Sequence, residues 1–220
     1  MLRQVTDTPS DAANLVERAK ALGISLNVDK ADSLLRYLDA MLALNEQVNL
    51  TGIRDRETAV VLHALDGLAF ALTEIAPQHL LDLGSGNGFP GVAVAALHSR
   101  ASIVLIDRTG KKVRAMGACL MTARIQGVET MQIDAAQAPA LNREMRAAFD
   151  VITARAVGTP AAIAEMAQPL LRPGGHLVLW LDAGAEAADV LDRCQREQTI
   201  EYNLPEPAVR RRRLAVYRLR

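Results

Sequence analysis

The segment Leu80-Leu81-Asp82-Leu83-Gly84-Ser85-Gly86-Asn87-Gly88-Phe89-Pro90-Gly91 constrains this chain more than any other. An apolar run that stops at clustered glycines reads as a strand and a tight turn. Pro90 then suits a first helical turn, where its missing N–H costs little. The rhythm repeats downstream: strands are expected over 103–106, 128–133, 149–153 and 176–181, and helices over 90–98, 111–125 and 161–171. Strands alternating with helices, joined by right-handed crossovers, make an α/β fold with a mostly parallel, doubly wound sheet. One more helix is expected over 186–196. Two strands, 199–204 and 213–219, joined by Pro205-Glu206-Pro207, should then pair antiparallel.

Before Pro77 the pattern is helical. Leu34, Leu35, Leu38, Met41, Leu42 and Leu44 recur at three- and four-residue spacings, with Asp29 as the expected N-cap and an end near Val48, where Asn49-Leu50-Thr51-Gly52 reads as a turn. A further helix, clearest over 59–72, sets His63 and Asp66 on neighbouring positions of one face. The chain thus divides into an N-terminal helical cap, 1–76, and a Rossmann-like domain, 77–220.

Two glycine patterns overlap in the turn. Gly86-x-Gly88-x-x-Gly91 matches a dinucleotide fingerprint, and Asp82-x-Gly84-x-Gly86-x-Gly88 matches the loop of S-adenosylmethionine enzymes. Register decides: the strand ends by Leu83, so the glycine that closes it is Gly84, ahead of Gly86. Asp82 can orient the loop or bind the cofactor's ammonium group through loop amides or water. Asp107, 25 residues on, ends the next strand, where a carboxylate can accept ribose hydroxyls. Asp134-Ala135 ends the third strand, the place for adenine contacts. The antiparallel ending resembles the sheet of class I S-adenosylmethionine-dependent methyltransferases.

Methyl transfer from a sulfonium is an in-line displacement, so the acceptor's needs narrow the class. A ring carbon needs a cysteine nucleophile, yet Cys119 and Cys194 fall in expected helices away from strand ends. Exocyclic amines commonly use an Asn/Asp-Pro-Pro-aromatic loop after strand four, where this chain reads Thr153-Ala154-Arg155-Ala156-Val157. Guanine N7 carries an in-plane lone pair and needs no base. Two cysteines far apart support neither a disulfide framework nor a zinc ribbon, so no metal is expected. The first residues hold no apolar leader and no run could span a bilayer, which favours a cytoplasmic protein without a membrane partner. A monomer is the default.

Asn49-Leu50-Thr51, His63-x-x-Asp66, the Asp82–Gly91 loop, Asp107-x-x-Gly110-Lys111-Lys112 and Thr153-Ala154-Arg155-Ala156 occur together and in order. In this the chain resembles the bacterial small-subunit (16S) ribosomal RNA guanine-N7 methyltransferases, also called the glucose-inhibited division protein B family. The resemblance covers about 49–175. It implies S-adenosylmethionine as cofactor, and 16S ribosomal RNA or a small-subunit particle as partner. Gly84, Phe89, Ala135, Ala136 and Arg155 would line the cofactor pocket, with Asp82, Ser85, Gly86, Gly88, Asp107 and Asp134 as the motif's other members. Arg155 and Asn49 would stand near the guanine; Arg155 is the candidate catalytic residue, by orientation alone. The family's usual Lys after the fifth strand is Asp182-Ala183 here, its Ala-Glu pair is Ala135-Ala136, and Gly67 replaces a usual Ser.

Charge bears on the RNA. Lys+Arg and Asp+Glu are both 25, and aromatics are only 3%, which argues against a surface of stacking rings. The neutrality is a cancellation: 207–220 holds six arginines and no acid, leaving the rest at −6. Lys111, Lys112 and the run Arg210, Arg211, Arg212 and Arg213 are candidate RNA contacts. The run could equally guard an edge strand, and Lys111 and Lys112 could be a solvated first helical turn. His63 and Asp66 are expected to bond on the helix surface and hold the cap in place. Alternatives are a methyltransferase for another RNA or a small molecule, a nicotinamide oxidoreductase, which would need a hydride-handling set not evident here, and a non-catalytic ribosome-binding module.

Overall fold

The computed structural model describes residues 10–182 and 184–220; the N-terminal expectations before Ser10, and Ala183, lie outside it. Helix α1 (Asp11–Ala21) starts where the Ser10 hydroxyl accepts from the Ala13 amide. Helix α2 (Val28–Val48) buries Leu34, Leu35, Leu38 and Met41, the face its spacing predicts. Its cap is Asn27 rather than Asp29: the Asn27 Oδ1 accepts from the Asp29 amide at 2.7 Å. It ends at Asn49, whose φ of 57° is the left-handed conformation asparagine tolerates.

The single helix expected over 59–72 is instead a composite. Helix α3 (Arg56–Ala59) widens into a π-helix at Val60–Leu65, tightens through α4 (Asp66–Leu68) and ends as a 3₁₀ turn, Ala69–Thr73. Apolar spacing cannot distinguish five-residue from four-residue hydrogen-bond rings over so short a stretch.

The sheet follows: β1 (His79–Leu83), α5 (Gly91–Leu97), β2 (Ser102–Asp107), α6 (Gly110–Ala123), β3 (Val128–Gln132), α7 (Ala138–Leu141), β4 (Phe149–Arg155), α8 (Pro160–Ala167), β5 (Leu171–Asp182), β6 (Val190–Leu191), β7 (Cys194–Leu204) and β8 (Arg210–Leu219). The spatial order is β3-β2-β1-β4-β5-β8-β7-β6. The first five strands are parallel, and β7 and β8 pair antiparallel, as expected; β6 adds a third antiparallel strand that was not. The Asp150 carboxylate accepts from the Gln78 and His79 amides and ties the start of β1 to β4. Leu34, Leu38 and Leu65 of the cap join Leu80, Val151 and Val178 in one apolar layer; Ile152, Ile163, Ala167 and Leu177 belong to a second. Each such buried leucine, isoleucine or valine contributes about 1.5–3 kcal/mol.

Two expectations fail here. The region read as a helix over 186–196 supplies β6 and the start of β7, so Cys194 lies in a strand. Cross-strand pairing of Cys194 with Leu219 and of Arg196 with Tyr217 outweighs its helical pattern. Likewise β8 begins at Arg210 and lies between β5 and β7, so the arginine run guards no edge. No helix among the described residues is long and apolar enough to cross a membrane.

Candidate functional site

With β1 flanked by β2 on one side and β4 on the other, connections leave in opposite directions, and a crevice opens at the strands' carboxyl ends. A cleft of about 690 Å³ occupies that crevice, bounded by the loop after β1, the ends of β2 to β4, the cap and β8.

The loop's backbone is held from three sides. The Ser85 amide donates to the Ile106 carbonyl at 2.8 Å, and the Gly86 amide donates to Asp107 Oδ2 at 3.1 Å. Asp107 Oδ1 accepts from the Thr109 amide at 2.7 Å, so this buried carboxylate orders both its own turn and the loop. From the cap, the buried Tyr37 hydroxyl donates to the Asn87 carbonyl at 3.0 Å. Gly84 (φ 61°) and Gly88 (φ 93°) adopt left-handed conformations. A Cβ on Gly88 would come within 2.0 Å of the Tyr37 hydroxyl, and one on Gly84 within 2.9 Å of Val157.

Asp82 lies beneath the loop, fully buried and outside the cleft. Its Oδ1 accepts from the Thr153 hydroxyl at 2.6 Å and its Oδ2 from the Gly91 amide at 3.3 Å. Burial pushes its carboxyl up to about 6, against the pull of these hydrogen bonds and of Arg155. This geometry orients the loop and keeps the carboxylate itself away from the cleft surface.

At the opposite end, Asp66 gathers charges from the cap and the sheet. Its Oδ2 accepts from Arg155 Nη1 at 3.0 Å and Arg212 Nη2 at 3.2 Å; its Oδ1 accepts from the Tyr202 hydroxyl at 2.6 Å and Arg212 Nε at 3.2 Å. The Trp180 indole donates to the Asp66 carbonyl at 2.9 Å. Burial, and then the Asp66 charge, hold the Tyr202 phenol protonated, as a donor. Arg155 Nη1 also donates to the Leu62 carbonyl, and Arg212 Nη1 reaches Asp182. His63 contacts Thr51, Asn87 and Arg155. The expected bond between His63 and Asp66 is not formed, because each side chain is taken by partners beyond its own helix.

The expected site residues separate into two groups. Gly84, Ser85, Gly86, Phe89, Asp107, Asp134, Ala135, Arg155, Lys112, Arg210 and Arg212 line the cleft. Asp82, Gly88, Ala136, Asn49, Lys111, Arg211 and Arg213 do not. The Ala136 amide turns back to Asp134 Oδ1, and Asn49 is the exposed cap of α2 beside Leu50, which does line the cleft. Alternation along β8 sends Arg211 and Arg213 to Glu201. Among the described residues no acid pairs with Arg210, Arg108 or Lys112 at the cleft's rim. Tyr37, Asn87, Thr153, Trp180 and Tyr202 are not among the expected site residues; Asn87 and Thr153 carry a signal, from their places inside the glycine motif and the Thr153–Ala156 motif, and the other three carry none.

Comparison with known proteins agrees with this geometry. A family model described as rRNA small subunit methyltransferase G matches residues 30–214. A protein named ribosomal RNA small subunit methyltransferase G from Chloroflexus aggregans is 33% identical over 183 residues, 83% of this chain and 76% of the relative. One of the same name from a Roseiflexus species is 33% identical over 186 residues, 84% and 77% of the two chains. Among solved structures, a SAM-dependent methyltransferase from Aquifex aeolicus aligns with a TM-score of 0.54 at 12% identity, over 74% of this chain and 93% of its own. A predicted O-methyltransferase from Agrobacterium tumefaciens gives 0.53 at 17% identity, over 71% and 81%. At those identities the likeness is one of fold.

Proposed function

This chain belongs to the rRNA small subunit methyltransferase G family, and from that premise we propose that it transfers a methyl group from S-adenosylmethionine to N7 of a guanine in 16S ribosomal RNA. The observation that carries this reading is the cleft itself, lined at one end by the glycine loop with Asp107 and Asp134 and at the other by Arg155, Arg210 and Arg212. Its volume falls within the usual range for a site that encloses a small ligand.

The residues fit the cofactor. Asp107 has both oxygens engaged by backbone amides and retains a lone pair on each for ribose hydroxyls. Asp134 and Ala135 border the adenine position, and the bare backbone at Gly84 and Gly86 lets a ligand approach closely. S-adenosylmethionine supplies the electrophilic methyl group when bound. The protein's part is alignment: Arg155, locked by Asp66 and the Leu62 carbonyl, presents a fixed cation at the acceptor side. Cys119 and Cys194 are fully buried, and burial pushes both thiols up to about 11, so neither serves as a nucleophile. Arg108, Lys112 and Arg210 flank the mouth as phosphate contacts, while Asn49 holds the turn beside it. On this reading the cap, 1–76, shapes the acceptor side and 77–220 holds the cofactor, in a cytoplasmic monomer.

The test is methylation of small-subunit particles and of naked 16S RNA, both lacking the modification, with labelled S-adenosylmethionine. Borohydride and aniline cleavage should reveal one N7-methylguanine. Label in another base, or in neither substrate, would sink the assignment. Calorimetric binding of NAD(H) in place of S-adenosylhomocysteine would favour an oxidoreductase.

A further inference from the structure

We propose that His63 is a positioning residue for methyl transfer: a neutral ring that sets the Arg155 guanidinium against the cofactor loop and takes no proton from the substrate. The inference rests on the methyltransferase reading above. Three separate elements converge on this one imidazole. Its Nε2 is 2.9 Å from the Thr51 hydroxyl in the turn after α2, and its Nδ1 is 3.2 Å from Arg155 Nη2 at the end of β4. The Asn87 amide of the glycine loop lies 3.3 and 3.4 Å from the two ring nitrogens. Phe89, two residues on in that loop, stacks on the ring at 5.8 Å and 18°.

The tautomer follows from the donors. A guanidinium can only donate, so Nδ1 must present its lone pair to Arg155. The proton then sits on Nε2 and is given to Thr51 Oγ1, which also accepts from the Ile53 amide at 3.1 Å. The charged groups facing the ring are Arg155 and Asp66, with Arg212 and Tyr202 bonded to the far side of Asp66. The Thr51 turn and the loop contribute none at this ring. Burial foremost, with the Arg155 charge, pushes the imidazole down to about 3, although Asp66 acts in the opposite direction. At neutral pH the ring is therefore a neutral acceptor.

This arrangement gives Arg155 its third anchor. Asp66 and the Leu62 carbonyl hold Nη1, and His63 alone among the described residues holds Nη2. The reaction needs no base at guanine N7, so geometry is what His63 has to offer. Thr51 links that geometry to the acceptor-side turn, and Asn87 links it to the cofactor side.

Two measurements decide the matter. Two-bond proton–nitrogen spectra of histidine-labelled protein should show His63 as the Nε2–H tautomer, unchanged between pH 5 and 8. An Nδ1–H ring, or protonation in that range, overturns the proposal whatever the enzyme's substrate. In single-turnover methylation of small-subunit particles, His63→Phe keeps an aromatic ring beside Phe89 but removes both nitrogens. It should lower the rate about 10- to 100-fold, with S-adenosylhomocysteine affinity changed less than about threefold. His63→Asn, which restores an acceptor near the Nδ1 position, should recover most of that rate. Melting temperatures must show that both variants are folded. Equal losses in the two variants, or a wild-type acidic limb near 6.5 that vanishes in His63→Asn, would overturn it. If wild-type protein methylates no ribosomal substrate, the functional reading fails, and the spectra still judge the ring.

Discussion

The two ends of the cleft are built by opposite means. At the β1–β2 end, order comes from backbone: amides of Ser85, Gly86 and Thr109 donate to groups on β2, within a stretch of 25 residues. At the β4–β8 end, order comes from side chains drawn together over as many as 146 positions, with Asp66 taking both oxygens' worth of donors from Arg155, Arg212 and Tyr202. The first end is limited by conformation and tolerates no Cβ at its tightest points. The second is limited by charge, because a buried ion pair that loses one partner leaves the other uncompensated.

The sharpest way to break this contrast is Asp66→Ala. It strands Arg155 and leaves Arg212 only the exposed Asp182, both arginine side chains being only 11% exposed, and should cost about 3–5 kcal/mol in urea unfolding. A loss under about 1 kcal/mol would mean that the cluster does not hold the cap to the sheet.

Next comes a charge hidden at the backbone end. The Asp82 carboxyl stands near 6 in the folded protein against an ordinary value of 3.8. The native state therefore holds a proton that the unfolded chain has released, between about pH 4 and 6. Stability from this group is full below that window and falls as pH rises through it, by at most about 3 kcal/mol at 1.36 kcal/mol per pH unit. Unfolding free energies at pH 4.5 and 7.5 should show the wild type losing ground relative to Asp82→Asn as pH rises. Parallel curves would place the carboxyl at its ordinary value.

A smaller effect, about 1–3 kcal/mol, is expected from Gly88→Ala, which combines a φ of 93° with the collision against Tyr37. Combining it with Tyr37→Phe should return part of the loss in a double-mutant cycle. Strict additivity would show that conformation alone sets the cost. Least costly to the fold is Arg210→Ser, expected to shift stability by under about 0.5 kcal/mol. It should lower the slope of RNA affinity against salt by about 1, since it removes one phosphate contact. An unchanged slope would move the RNA path away from β8.

The β1–β2 end was legible because its determinants are consecutive: a strand, a glycine cluster and a carboxylate at the next strand's end are local patterns. The helical face of α2 and the antiparallel ending were readable for the same reason. Reading failed where a partner strand decided the outcome. Residues 186–196 look helical by spacing, yet Cys194 and Arg196 pair with β8. Asp82 showed its importance but not its side of the loop, because a carboxylate below the turn and one within the cleft share the same spacing.

By itself the sequence determined the alternation of strands and helices through β5, the glycine turn and its register, and the motifs that point to methyl transfer. Those properties follow from local conformation and from periodicity along the chain. Only the tertiary structure decided which charges face the cleft. Of four consecutive arginines, Arg211 and Arg213 go to Glu201, Arg212 to Asp66 and Asp182, and Arg210 remains at the rim. The pleat assigns alternate faces, but what waits on each face comes from strands and helices remote in sequence. The apparent basic tail is therefore largely neutralised, and the cations left at the mouth, Arg108, Lys112 and Arg210, come from two distant parts of the chain.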